Sequence, residues 1–211
     1  GVLAPFVGAA IDRFGVVRVI RTGLVVLGLT FSAYPFAGSL AQLYVLHVGV
    51  GLGLILSGLM PNVVLLSRWF TARRGTVVGI LVAGSSLAGA ILPVAISPLV
   101  NDPAYGWRYG LGALALAFWA LAVLPGFRLL KESPAGVGQF PDGAAAAATA
   151  ASDDAPDGIP FAAALRTRTF WCLAVGSACL WFATQAMTSQ VTIFFEQEGG
   201  FAPAAATGLY S

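Results

Sequence analysis

The chain has 211 residues, of which 58% are hydrophobic and only 9% are charged, and its net charge is +2. A soluble domain of ordinary composition carries about 25% charged residues. The composition therefore excludes a typical soluble globular protein and predicts an all-α integral membrane protein. The small net charge gives no indication of a nucleic-acid partner, and none is expected.

Runs of about 20 apolar residues are long enough for one helix to cross the hydrocarbon core of a bilayer. Such runs recur along the chain, and we predict five complete membrane spans with a partial span at each end. Because the first run is too short to span and the last is cut off at Ser211, we expect a truncated helical bundle. The predicted spans are Gly1–Ala10 (partial), Val19–Gly38, Ala41–Leu66, Gly75–Leu99, Arg108–Leu129, Thr169–Phe195 and a partial span from about Ala202.

Basic residues are distributed unevenly over the loops between these spans. Of the 11 Lys and Arg residues, all except Arg108 border the first, third and fifth loops. Basic residues accumulate in cytoplasmic loops. The odd-numbered loops are therefore predicted to be cytoplasmic, in a multi-pass protein of the plasma or inner membrane.

The fifth loop, residues 131–168, is much longer than the others. It contains Pro134, Pro141 and an alanine run that begins at Ala144, so it has little to bury. We predict a mobile cytoplasmic linker between two helical bundles, which are residues 1–130 and residues 169–211. Within this linker, Ile159–Leu165 is predicted to form a small interfacial helix.

The charged stretch Gly8–Arg18 lies between the first two apolar runs. We predict that this stretch is a tight turn between two helices. Gly15 can take the left-handed conformation that ends a helix. Asp12 and Arg13 are expected to lie where the chain leaves the bilayer.

Four short motifs resemble those of the major facilitator superfamily, and each falls where that family has a turn or the start of a helix. They are Gly8-x-x-x-Asp12-Arg13-x-Gly15 with Arg18, Arg68-Trp-Phe-Thr-Ala-Arg73-Arg74-Gly75, Gly106-Trp107-Arg108, and Arg166-Thr-Arg168-Thr-Phe170-Trp171. The first of them departs from the family pattern at Val17, where a second basic residue is usual.

The resemblance implies a fold of two six-helix halves joined by a long cytoplasmic loop. On this alignment the chain runs from late helix 2 to the start of helix 8. The resemblance also implies a gate that closes the cytoplasmic side, in which the Asp12 carboxylate makes the closing contact. The gate residues carried over in this way are Gly8, Asp12, Arg13, Gly15, Arg18, Arg73 and Arg74.

Within that family, Trp69-Phe70 before Arg73-Arg74-Gly75 and the later Ala83-Gly84-Ser85 are most similar to the monocarboxylate and oxalate–formate branch. This likeness implies a secondary transporter that works by alternating access on a small organic anion, coupled to a proton or a counter-anion. A sugar, nitrate or drug carrier of the same fold is the alternative. Drug–proton antiporters usually have a Gly-Pro pair in helix 5, but here Gly89 is followed by Ala90. A membrane-embedded enzyme or a receptor is the alternative outside the fold.

Polar residues in two spans are candidates for a substrate cavity. In Thr169–Phe195, a row of polar residues recurs at helical spacing and shares one face. In Ala41–Leu66, Asn62 lies deep in an apolar run, and the family resemblance turns its helix toward the cavity. Hydrogen bonding between helices is the structural alternative for both spans. The candidates are Asn62, Trp181, Gln185 and Thr188.

No catalytic residue, metal site or cofactor is predicted. The spans contain no acid away from their ends, and His47, the single histidine, lies near the end of its span. Cys172 and Cys179 are about two helical turns apart, which is too far for a disulfide. The expected partners are a small-molecule substrate and the lipid bilayer, and the protein is not expected to be an enzyme.

Overall fold

The computed structural model describes residues 3–101, 106–143, 163 and 165–197. This part of the chain contains eight α-helices and no strand, and it divides into two compact units, residues 1–148 and 149–211, which are described separately. The predicted interfacial helix, the alanine run and the final partial span fall wholly or largely outside the described residues. The helices are α1 (Ala4–Phe14), α2 (Val16–Ala33), α3 (Leu40–Ser57), α4 (Leu59–Trp69), α5 (Arg74–Asn101), α6 (Gly106–Phe118), α7 (Leu124–Leu129) and α8 (Arg168–Gln197).

Five helical stretches in the described residues are long and apolar enough to cross a membrane. Each overlaps one of the five complete spans predicted from the sequence, so the protein is a multi-pass membrane protein with the expected helix order. The stretches are Val16–Phe36, Leu40–Trp69, Arg74–Leu92, Gly106–Leu129 and Arg168–Met187.

The predicted turn over Gly8–Arg18 is much shorter than expected, and that prediction was wrong in extent. Helix α1 continues to Phe14, and only Gly15 separates it from α2. No proline or glycine interrupts the chain between Gly8 and Phe14, so the helix carries Asp12 and Arg13 on its last turn. Gly15 does have a positive φ of 88°, but its ψ of 148° is extended rather than left-handed helical.

The predicted span Ala41–Leu66 is interrupted, because α3 ends at Ser57 and α4 begins at Leu59. Pro61 has no N–H to donate to the carbonyl four residues before it, which is that of Ser57. The Asn62 side chain fills this role, since its Nδ2 donates to Ser57 O at 2.7 Å and to Gly58 O at 2.8 Å. At the break itself, a Cβ on Gly58 would collide with the Leu54 carbonyl oxygen.

Pro125 has a similar effect on the span that ends at Leu129. The helix widens into a π-turn over Trp119–Val123, just before α7 begins. A local π adjustment is one of the ways in which a membrane helix accommodates a proline. There Trp119 Nε1 donates to Gly28 O at 3.2 Å and to Ser32 Oγ at 3.1 Å, which fixes the widened turn against α2.

Glycines allow α2 and α3 to approach each other closely. A Cβ on Gly23 would lie 2.7 Å from the backbone nitrogen of Ser57, and one on Gly49 would lie 2.6 Å from Thr30 Oγ1. Small residues of this kind permit tight helix packing in a membrane, where dispersion contacts and hydrogen bonds drive association. The buried core of this unit lies where α1, α2 and α4 meet, and its members are Val7, Ile11, Val16, Val17, Val19, Ile20 and Leu65.

Candidate functional site

The functional residues predicted near Gly15 lie at one end of the first unit, where α1, α4 and α7 end and α2 and α5 begin. We call this region the linker end, because the chain leaves it at residue 131. Three of the five helix termini there, those of α1, α4 and α7, belong to helices that are short or interrupted. Their unpaired backbone groups need partners from elsewhere in the chain.

Glu132 occupies the centre of the linker end. Its Oε1 accepts a hydrogen bond from the backbone N–H of Val16 at 2.9 Å, and its Oε2 accepts one from Val17 at 3.0 Å. The same carboxylate forms an ion pair with Arg68 at the end of α4. A carboxylate at the start of a helix is stabilised by the exposed N–H groups and by the helix dipole. Glu132 therefore joins the beginning of α2 to the end of α4.

The geometry around Glu132 explains why the residue between α1 and α2 is a glycine. A Cβ on Gly15 would lie 3.2 Å from both carboxylate oxygens of Glu132. The positive φ of Gly15 would also strain any residue that has a side chain. Gly15 thus leaves space for the Glu132 carboxylate to reach the two backbone N–H groups.

The electrostatics of Glu132 favour its ionised form. Partial burial acts to raise the pKa of Glu132, but the hydrogen bonds from Val17 and Val16 and the positive charge of Arg68 together hold it below its usual value. A carboxylate with a lowered pKa contributes stability above its unfolded-state pKa, and this contribution is lost as the pH falls through the folded value. At neutral pH, Glu132 is therefore ionised and its contacts with Val16, Val17 and Arg68 contribute fully to stability.

Arg21 makes the opposite contact at the end of α7. Its guanidinium donates to the carbonyl oxygens of Gly126 at 3.3 Å, Phe127 at 2.8 Å and Leu130 at 3.0 Å. It also lies over the Phe127 ring, 5.3 Å from the ring centroid. A cation at a helix C-terminus satisfies the last carbonyls and complements the dipole. Helices α2 and α7 are thus held together by two contacts: Glu132, which follows α7, binds the start of α2, and Arg21 of α2 binds the end of α7.

A second acid, Asp142, binds the turn between α4 and α5. Its Oδ2 accepts hydrogen bonds from Thr71 N at 3.0 Å, Thr71 Oγ1 at 2.7 Å and Ala72 N at 2.9 Å. The hydrogen bonds from the Thr71 hydroxyl and the Ala72 backbone lower the pKa of Asp142 to about 2. Asp142 is therefore fully ionised at neutral pH.

The structure brings only part of the predicted gate into contact. Gly15 lies against Glu132, whereas Asp12 is exposed and forms no ion pair or hydrogen bond with the described residues. Arg13 stacks on the neighbouring Phe14 ring, and Arg74 donates to Ser67 O at 3.4 Å. Gly8 lies one turn before Asp12 on α1, and the side chains of Arg18 and Arg73 form no ion pair or hydrogen bond with Asp12.

The predicted cavity residues lie in both units. Asn62 belongs to the first unit, where it borders a cavity of about 250 Å³ between α2, α4 and α7 that Leu24 and Gly126 also line. Trp181 and Gln185 are exposed on α8 in the second unit, and Thr188 lies on the same helix. The last three residues thus lie on one continuous helix, and the part of all four in substrate binding stays a prediction.

The family model of the Major Facilitator Superfamily matches residues 1–211. The chain belongs to the major facilitator superfamily. Relatives of this superfamily member include monocarboxylate transporter 4 of Mus musculus, which is 35% identical over 146 residues, or 66% of this chain and 29% of that protein.

Two fungal proteins in the same superfamily are also similar. The fujikurins efflux protein of Gibberella fujikuroi is 33% identical over 131 residues, or 58% of this chain and 26% of that protein. The agnestins efflux protein of Paecilomyces divaricatus is 29% identical over 112 residues, or 52% of this chain and 25% of that protein. The matched part of the chain thus spans between 25% and 29% of these three relatives.

Sequence reasoning missed Glu132 and Asp142 because both lie in the segment predicted to be a mobile linker. The available signal was their position. They are the only acids among residues 130–143, and the predicted topology puts this segment on the same side of the membrane as two loops rich in arginine. An isolated acid close to a basic loop indicates a contact, but nothing in the sequence specifies which helix terminus it binds.

Proposed function

We propose that the protein carrying this chain is a secondary transporter that works by alternating access on a small organic anion such as a monocarboxylate. The observation that carries the proposal is the superfamily match over the whole chain, together with five membrane-spanning helices in the expected order. The similarity to monocarboxylate transporter 4 supports the substrate class. A proton or a counter-anion is the proposed coupled species.

Efflux of another solute is the second candidate function. The similarity to two fungal proteins favours it, because they are named as efflux proteins for agnestins and fujikurins. Both candidates place the substrate between two helical bundles near the middle of the membrane. We propose that Asn62 borders this path in the first bundle, and that Trp181, Gln185 and Thr188 border it in the second.

We further propose that the linker end is the cytoplasmic side and that it contains the gate. The seven residues assigned by family resemblance lie there together with Glu132 and Arg68. In this proposal Glu132 shapes the α1–α2 turn that presents Asp12 and Arg13. Asp12 then contacts a helix of the other bundle when the cytoplasmic side closes.

Uptake into vesicles tests the proposed function. The full-length protein in proteoliposomes is expected to accumulate radiolabelled lactate when an inward proton gradient or an internal carboxylate is supplied. Unlabelled short carboxylates should compete with this uptake, and glucose should not. Competition by glucose but not by carboxylates would contradict the anion assignment, and export of an agnestin or a fujikurin without lactate uptake would favour the efflux function.

Cysteine labelling tests the side on which the linker lies. In a background with Cys172→Ser and Cys179→Ser, Asp154→Cys is expected to react with an impermeant maleimide only from the cytoplasm, and Asp102→Cys only from outside. The reason is that ten of the 11 basic residues border loops on the side of the linker. Labelling of both positions from the same side would refute the topology.

A further inference from the structure

Residues 131–143 follow the end of α7 and run back across the linker end of the first unit. Near the start of this segment, the carbonyl oxygen of Lys131 accepts a hydrogen bond from Trp69 Nε1 at 3.1 Å. The next residue, Glu132, binds the beginning of α2 and Arg68. Pro134 is buried, although prolines are ordinarily exposed. The first part of the segment is therefore packed against helices α2 and α4.

The far part of the segment is held as well. Two 3₁₀ turns, Ala135–Val137 and Pro141–Gly143, shape its path. The second turn places Asp142 at a positive φ of 58°, a conformation that an aspartate tolerates better than most residues. From there its carboxylate accepts the three hydrogen bonds from Thr71 and Ala72.

We propose that residues 131–143 form a strap that belongs mechanically to the first bundle, and that Asp142 is the positioning residue that fixes its far end on the α4–α5 turn. The strap joins the start of α2, the end of α4 and the turn that carries Arg73 and Arg74. The joint between the two bundles then begins after Gly143 rather than at Leu130. This inference concerns the linker alone and holds whichever solute the protein carries.

Two contacts at opposite ends of the strap support this assignment over a single chance contact. Glu132 accepts hydrogen bonds from the backbone N–H groups at the start of α2, and Asp142 accepts them from the turn between α4 and α5. These hydrogen bonds act to lower the pKa of each carboxyl group. Charge-assisted hydrogen bonds of this kind are about twice as strong as neutral ones. The distance between the two anchors along the chain is ten residues, so the segment between them has little freedom once both are bound.

Hydrogen–deuterium exchange of the full-length protein in nanodiscs tests the far anchor. Asp142→Ala removes the acceptor and is expected to speed exchange of the Thr71 and Ala72 amides by about tenfold, comparable to the loss of a helix cap. Asp142→Asn keeps one neutral oxygen and should give an intermediate rate. The amides of Val16 and Val17 should exchange at the wild-type rate in both variants, because Glu132 holds them.

A nitroxide label at Gln139, which is exposed between the anchors, gives a second readout. Its motion should be restricted in the otherwise unchanged protein and faster with Asp142→Ala. The matched control is Asp157→Ala, which removes an acid from the rest of the linker and should change neither readout. Unchanged exchange at Thr71 and Ala72 in Asp142→Ala would overturn the strap, as would an equal effect of the control or a label that is already fully mobile before substitution.

Discussion

Replacing Glu132 with alanine is expected to lower the free energy of unfolding of the full-length protein by about 1–2 kcal/mol, the range for loss of a helix cap. The substitution leaves the Val16 and Val17 N–H groups without their acceptor and Arg68 without its partner. Glu132→Gln should cost less, because one amide oxygen can still accept a hydrogen bond. Thermal unfolding in a fixed detergent, read from tryptophan fluorescence, measures the order of the variants.

The companion variant Arg68→Gln separates the ion pair from the helix cap. The two side chains are 37% and 42% exposed, and ion pairs between exposed groups contribute about 0–1 kcal/mol. We therefore expect Arg68→Gln to be the mildest of the three variants. If it destabilises the protein as much as Glu132→Ala, then the ion pair rather than the α2 cap provides the stability, and our interpretation of Glu132 is wrong.

Asp12→Asn is the matched control for charge removal at the same end of the bundle. Because the exposed Asp12 side chain forms no ion pair or hydrogen bond with the described residues, its substitution should leave the unfolding temperature unchanged. In the proposed gate it should instead shift the protein toward its inward-open state and slow turnover more than it weakens binding. Distances between spin labels on the two bundles, measured beside uptake rates, would show no change if Asp12 has no part in the gate.

Replacing Asn62 with leucine is expected to destabilise the protein by about 1–3 kcal/mol, the cost of a buried polar group left without a partner. Pro61 has no N–H that could donate to the Ser57 carbonyl oxygen, and Asn62 Nδ2 donates to it instead at 2.7 Å. Asn62→Asp should be worse, because it substitutes an acceptor for the donor beside two carbonyl oxygens. Thermal unfolding and lactate uptake are measured on the same preparations.

The double variant Pro61→Ala/Asn62→Leu separates the structural role of Asn62 from its proposed role at the substrate. Alanine at position 61 restores an N–H that can donate to Ser57, so stability should largely return. Uptake should stay impaired if the amide also binds substrate, and recovery of both would assign Asn62 a structural role alone. Ser86→Ala is the control, since it removes a 3.3 Å side-chain hydrogen bond to Val82 O within an uninterrupted helix and should have little effect.

The spans were predictable because membrane helices need long apolar runs, and the runs at Val19–Gly38 and Thr169–Phe195 leave no other way to satisfy the backbone. The interruptions were harder to predict. Pro61 and Pro125 are visible in the sequence, but prolines are tolerated within membrane helices when other groups replace the lost hydrogen bond. Whether a break forms depends on partners such as Asn62, whose direction only the packing determines.

The contacts at the linker end could not be predicted from local sequence patterns. Family resemblance selected Asp12 and the arginines because the motif is local, and their part in a gate stays a prediction. Glu132 reaches the beginning of α2 from 116 residues further along the chain. A pairing over such a separation depends on how α2, α4 and α7 pack together, and the hydrophobic periodicity of each helix alone does not specify it.

The long separation between Val16 and Glu132 also bears on biogenesis. While the chain is being synthesised, the N-terminal turn of α2 lacks its carboxylate until every helix from α2 to α7 has been made. The same holds for Arg21, whose carbonyl acceptors at Phe127 and Leu130 appear just before Glu132. These contacts at the linker end can therefore form only after α7 has been made, and nascent chains that stop before Leu124 should remain more accessible to membrane quality-control proteases.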